Sequence, residues 1–135
     1  VTTDRDASRP SSYSFPQRLR LKTADQFRIV YEHRTSRSSG PLTAYAIPND
    51  LEHCRLGLSV PRRVGTASRR NRVKRLLRES FRLMQHDLPG GYDVVINVRP
   101  HEPMALAEYQ HRLAKAMRLL HETWKNRADK KGRSA

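Results

Sequence analysis

At 135 residues the chain has the length of one ordinary domain, and 27 Lys+Arg against 13 Asp+Glu give it a formal net charge of +14. Its hydrophobic share of 36% is low but clustered, which disfavours full disorder; no run approaches the ~20 apolar residues of a bilayer span, and the N-terminal stretch lacks the apolar centre of a secretory signal. The single cysteine, Cys54, excludes a disulfide within the chain and a thiolate-based zinc finger. The expectation is a soluble, cytoplasmic protein with no membrane partner.

In chain order, residues 1–16 are polar, proline-containing and without periodicity, and read as a disordered tail. Thr23 and Gln26 have capping-box spacing, so a helix is predicted from Thr23 to about His33, with Phe27 and Tyr31 on one face and Ile29 and Val30 turned elsewhere. The Ser/Gly/Pro-rich stretch Thr35 to Pro41 reads as a break. A first strand follows at Leu42 to Ile47. The second, Cys54 to Val60, alternates, with Leu56, Leu58 and Val60 on a buried face and Arg55, Gly57 and Ser59 on an open one.

After Pro61 a helix is predicted with the apolar stripe Val73, Leu76, Leu77, Phe81 and Met84. Asn71, Arg75, Arg78 and Arg82 lie opposite, with Arg72 on the flank. Pro89, Gly90 and Gly91 end this unit, and Tyr92 to Arg99 is a third strand with Val94, Ile96 and Val98 on one face. The last helix repeats apolar residues from Leu106 to Trp124, then frays into a short basic tail. The prediction is a single α+β domain over residues 17–125 in the order α-β-β-α-β-α, with a small sheet packed by helices, and a basic tail at 126–135.

Function is sought in the charge. Of the 27 basic residues 21 are arginine, whose planar fork binds phosphate and stacks on bases, so nucleic acid, and RNA or single strands above all, is the expected partner. Nine basic residues and one acid, Glu79, lie between Arg62 and Arg82. A solvated helix face is the ordinary explanation of a basic run, but such faces mix signs to gain salt bridges, whereas here like charges accumulate. A phosphate backbone would neutralise them.

At the centre of this run stands Arg70-Asn71-Arg72. The segment from Arg55-Leu-Gly-Leu-Ser-Val-Pro-Arg-Arg-Val to Gly65, followed by Arg69-Arg-Asn-Arg-Val-Lys-Arg-Leu-Leu-Arg-Glu-Ser to Phe81, resembles the signature of the bacterial ribonuclease P protein component. The likeness extends from about residue 15 to 125. It implies a binding subunit that assists a catalytic RNA in removing the 5′ leader from precursor tRNA, with one protein per RNA and Mg²⁺ held mainly by the RNA. It also implies a left-handed crossover between the second and third strands, against the general rule.

Carried over residue by residue, the resemblance assigns RNA-subunit binding to Arg69, Arg70, Asn71, Arg72, Lys74, Arg75 and Arg78. A leader-binding cleft between the first helix and the open sheet face falls to Phe27, Tyr31, Tyr45, Ser59, Arg62 and Arg63. Pro61, Arg62 and Arg63 depart from the family's usual Ser-Lys-Lys, keeping the charge but offering forked contacts in place of point charges. No catalytic or metal-ligating residue is assigned to the protein. Its carboxylates are dispersed, Glu108-x-x-His111 reads as a surface pair, and Cys54 reads as strand packing. The competing reading is a ribosomal or general structured-RNA-binding protein. A protein-only nuclease would need clustered carboxylates or a phosphate-cradling glycine loop, and a helix-turn-helix reader would need a short helix before the basic one.

Overall fold

The structure, a computed structural model, describes residues 17–134, with side chains through residue 130. The predicted N-terminal tail at 1–16 lies outside the described residues. Helix α1 spans Ala24–Glu32, and its start is the predicted capping box: Thr23 Oγ1 accepts from the Gln26 backbone N–H at 3.1 Å, while Gln26 Oε1 accepts from the Thr23 N–H at 3.1 Å. Strands β1 (Ser36–Ser39) and β2 (Leu42–Pro48) form a hairpin, and β3 (Arg55–Ser59) leads through a 3-10 turn at Arg62–Val64 into α2 (Ala67–Met84). Strand β4 (Tyr92–Val98) and the long helix α3 (Leu106–Ser134) complete the chain.

The sheet order is β1-β2-β4-β3, with β1/β2 and β2/β4 antiparallel and β3/β4 parallel. Helix α2 is therefore the crossover of a parallel pair, and β4, the last strand, is central. On one face Ala44, Leu56, Val94 and Ile96 pack against Leu77 and Phe81 of α2 and Tyr109, Leu113 and Met117 of α3, which is the main core. The opposite face is smaller: Val95 and Ile47 meet Leu21 and Val30, with Phe27, Tyr31 and Tyr45 partly buried around them.

Four expectations change. The stretch read as a break contains strand β1, whose Ser-Arg-Ser-Ser sequence carries no strand signal; it forms because β2 offers a paired edge, and its Ser39 is buried. Val30 does not turn away from Phe27 and Tyr31 but is fully buried beside them, because α1 lies flat enough on the sheet to press three residues of its face onto it. The second sheet face is accordingly only partly open.

The last change concerns the C-terminus, where α3 continues to Ser134 in place of a tail from 126. Its extension is anchored at its root: Trp124 Nε1 donates to the Ala46 carbonyl at 2.8 Å, and the Arg127 guanidinium lies 5.0 Å from the Trp124 ring while donating to Thr35 Oγ1 at 2.6 Å.

One ion pair secures the start of the parallel pair. Arg55 binds Asp93 through two bonds, Nε to Oδ1 at 2.8 Å and a terminal nitrogen to Oδ2 at 2.7 Å, and Asn49 Nδ2 donates to the same Oδ1 at 2.9 Å. The Asp93 side chain is 9% exposed, against 28% for Arg55. Arg55→Ala would leave that carboxylate buried with Asn49 alone, at an expected cost of about 2 kcal/mol, less than for a fully buried pair because Arg55 reaches solvent. A lowered urea midpoint with unchanged slope is the expected reading; an unchanged midpoint would show that the pair is energetically idle.

Candidate RNA interface

The register of three strands builds the cleft. Tyr45 is opposite Val95 and Gly57 is its parallel partner on the other side, so Tyr45, Val95 and Gly57 form one row across β2, β4 and β3. The next row on the same face is Thr43, Asn97 and Ser59. Helix α1 covers the first row and leaves the second open.

Gly57 is what lets α1 come so close, since a Cβ there would lie 2.6 Å from Phe27 Cζ. Phe27 is thus half-buried and glues the helix to the sheet. Tyr31 stands at the boundary between the two rows: its ring meets Tyr45 edge-on at 5.0 Å and 80°, and its hydroxyl donates to Asn97 Oδ1 at 2.6 Å. Burial pushes the Tyr31 phenol above its ordinary value, against hydrogen bonds with Ser59 and Asn97 that pull it down, so it remains a neutral donor. With its oxygen engaged, Asn97 has its amide N–H groups left to donate.

Beyond Tyr31 the open row widens into a cleft lined by Thr43, Tyr45, Ser59, Arg63, Asn97 and Arg99. Of the predicted cleft residues, Tyr45, Ser59 and Arg63 meet here and Tyr31 borders them, whereas Arg62 is exposed on the neighbouring turn. Thr43, Asn97 and Arg99 join them, residues that the family motif does not single out. Asn97 had a signal, being a polar residue in an otherwise apolar strand, on the opposite parity from Val94, Ile96 and Val98.

The cleft runs directly into the basic helix. Gly65 joins them with φ +153°, a backbone region open essentially to glycine, and a Cβ there would meet Arg69 Cδ at 2.6 Å. The Gly65 carbonyl accepts from Arg70 Nε at 3.3 Å, and Thr66 caps α2 by accepting the Arg69 N–H at 3.2 Å.

Helical spacing spreads the seven predicted residues around α2. Arg69 and Arg72 lie on the flank near Tyr109, Asn71 and Arg75 on the crest, and Arg70, Lys74 and Arg78 on the other flank. Arg69, Asn71, Arg72 and Arg75 are exposed, and among the described residues no carboxylate pairs with these three arginines. Arg78 is half-buried, and burial together with the nearby Arg20 charge pulls its pKa down. It faces Arg20 as well as the basic run. Arg82 is taken up by Glu79.

The remaining chemistry is structural. Glu108 pairs with Arg112 at 2.7 Å, leaving Glu108-x-x-His111 as a surface pair. Cys54 is buried and donates to the Pro89 carbonyl at 3.1 Å; burial pushes its thiol up. Among the described residues no three His, Cys, Asp or Glu side chains converge as a metal-ligating group, and no helix is long and apolar enough to cross a membrane.

A mixed sheet with an aromatic-edged polar cleft on one face, continuous with an arginine-crested crossover helix, defines a nucleic-acid-binding α+β domain. Residues 15–123 match the family model of Ribonuclease P. The chain belongs to the ribonuclease P protein family, and with it come a partnership with ribonuclease P RNA and a place in tRNA processing. Among solved structures it is similar to the RNase P protein of Thermotoga maritima, with 28% identity, a TM-score of 0.64, and coverage of 70% of this chain and 90% of that one. It is also similar to the RNase P protein of Staphylococcus aureus, with 27% identity, a TM-score of 0.63, and coverage of 75% and 94%.

Proposed function

We propose that the two surfaces divide the work of the ribonuclease P protein subunit. The exposed arginines of α2, with Asn71, bind the catalytic RNA, and the cleft beside Tyr31 binds the single-stranded 5′ leader of precursor tRNA. The observation that carries this reading is the Thr43-Asn97-Ser59 row: a strip of hydrogen-bonding groups bounded by Tyr31 and Tyr45 and by Arg63 and Arg99 suits an extended strand, whose bases stack on rings while its phosphates meet guanidinium groups. Bond cleavage belongs to the RNA subunit, which holds the Mg²⁺ ions, and one protein serves each RNA in the cytoplasm. The general RNA-binding alternative does not account for a polar, aromatic-edged cleft placed beside the arginine helix within this family.

The test is cleavage of precursor tRNA by the cognate RNA subunit with and without the protein across a Mg²⁺ series. Stimulation greatest at low Mg²⁺, with no cleavage by RNA-free protein, is the expected result. Specific cleavage by RNA-free protein, abolished by one Asp or Glu substitution, would overturn it.

A further inference from the structure

A second cavity lies on the other side of α2, between the Arg69/Arg72 flank and the loop that enters α3. It holds about 250 Å³, and its floor is apolar: Val73 and Leu76 from the helix, Met104 from the loop and Tyr109 from α3. This is just under the ~300 Å³ at which drug-sized pockets begin, enough for one flat ring system and too little for a peptide or a duplex. Arg69 and Arg72 stand at its rim, and no acidic side chain lines it.

The far wall is held rigidly. His101 Nε2 and the Tyr109 hydroxyl are 2.7 Å apart, and His101 Nδ1 lies 2.8 Å from the Arg99 carbonyl, which only accepts. Nδ1 therefore donates to that carbonyl, which in the neutral ring leaves Nε2 to accept from Tyr109. Each polar group of that wall is engaged within the protein, and the partly exposed Leu76 and Met104 supply the apolar surface open to an occupant above the buried Val73 and Tyr109. Neither the apolar stripe nor the basic crest of α2 requires this cavity.

We propose that it receives one unstacked base of the ribonuclease P RNA, with Arg69 and Arg72 on the phosphates flanking that nucleotide. The proposal rests on the reading of α2 as the RNA-subunit surface and adds to it a single-nucleotide socket. An apolar floor beneath a cationic rim complements a nucleotide's two halves, a flat ring and an anionic backbone. A bare phosphate would have no use for Met104 and Leu76, and an uncharged apolar ligand none for the paired guanidinium groups. The RNA subunit is chosen over precursor tRNA because the socket opens on the flank of α2, on a different element face from the leader cleft.

Full-length protein is assembled with its RNA subunit, and base-reactive chemical probing is compared for wild type, Met104→Leu, which conserves volume, and Met104→Trp, which fills the socket. Ser68→Phe, placed on the exposed first turn at the mouth, blocks it without touching the core, and circular dichroism checks each fold. One RNA nucleotide is expected to be protected by wild type and Met104→Leu and to regain reactivity with Met104→Trp and Ser68→Phe, while the rest of the footprint persists. Affinity should fall about tenfold in the two blocked variants, the scale of one lost base contact. Identical footprints and affinities for all folded variants would overturn the socket while leaving α2 as the RNA surface. A wild-type protein that fails to bind the RNA subunit would overturn the functional reading itself.

Discussion

Replacing Arg72 and Arg75 together by alanine is expected to weaken binding to the ribonuclease P RNA about a hundredfold at moderate salt. Both side chains are exposed and neither has a carboxylate partner among the described residues, so their removal leaves the fold intact and deletes two phosphate contacts. A hydrogen bond to a charged group contributes about 1.5–3 kcal/mol, and two at the lower end sum to roughly 3 kcal/mol, or about two decades in affinity. The log–log salt slope should shrink by about 1.4–1.8, the release of counterions from two phosphates. Filter binding across a salt series reads both quantities. A folded double variant with the wild-type slope would remove these arginines from the interface. Arg70→Ala is a less clean probe, because Arg70 also ties the Gly65 loop to the helix.

Tyr31→Ala is expected to lower the affinity of the assembled holoenzyme for precursor tRNA bearing a leader of several nucleotides by ten- to a hundredfold, since base stacking is worth about 1–3 kcal/mol per base. Binding of mature tRNA should hardly change. Tyr31→Phe separates the ring from the hydroxyl: it keeps the stacking surface and the edge-on contact with Tyr45 but releases Asn97 Oδ1. A loss confined to the alanine variant would assign the effect to stacking; a comparable loss in both would assign it to the orientation of Asn97. Equal losses for leader-bearing and mature tRNA in Tyr31→Ala would make Tyr31 core packing alone.

Much of the molecule could be read along the chain. The α1 capping box, the alternation of β3, the Val/Ile run of β4, the apolar stripe of α2 and its crowd of arginines are local patterns, legible because helices and strands repeat at fixed periods and because capping acts across three residues. The ordered motif from Arg55 to Phe81 identified the family, and residues 15–123 match it.

What the amino-acid sequence determined by itself, then, was the kind of element at most positions, the sign and crowding of the charge, and the family. Tertiary structure alone decided which rows lie side by side. Strand β1 exists only as a partner of β2, and α3 continues past Trp124 where Arg127 finds Trp124 and Thr35. Thr43, Asn97 and Ser59 become one strip because β4 pairs antiparallel with β2 and parallel with β3. The His101–Tyr109 wall closes a socket against α2 residues from a distant part of the chain. Each of these depends on register and on which surfaces meet across distant segments, and a one-residue slip would send every side chain of a strand to the other face, so no local period carries that information.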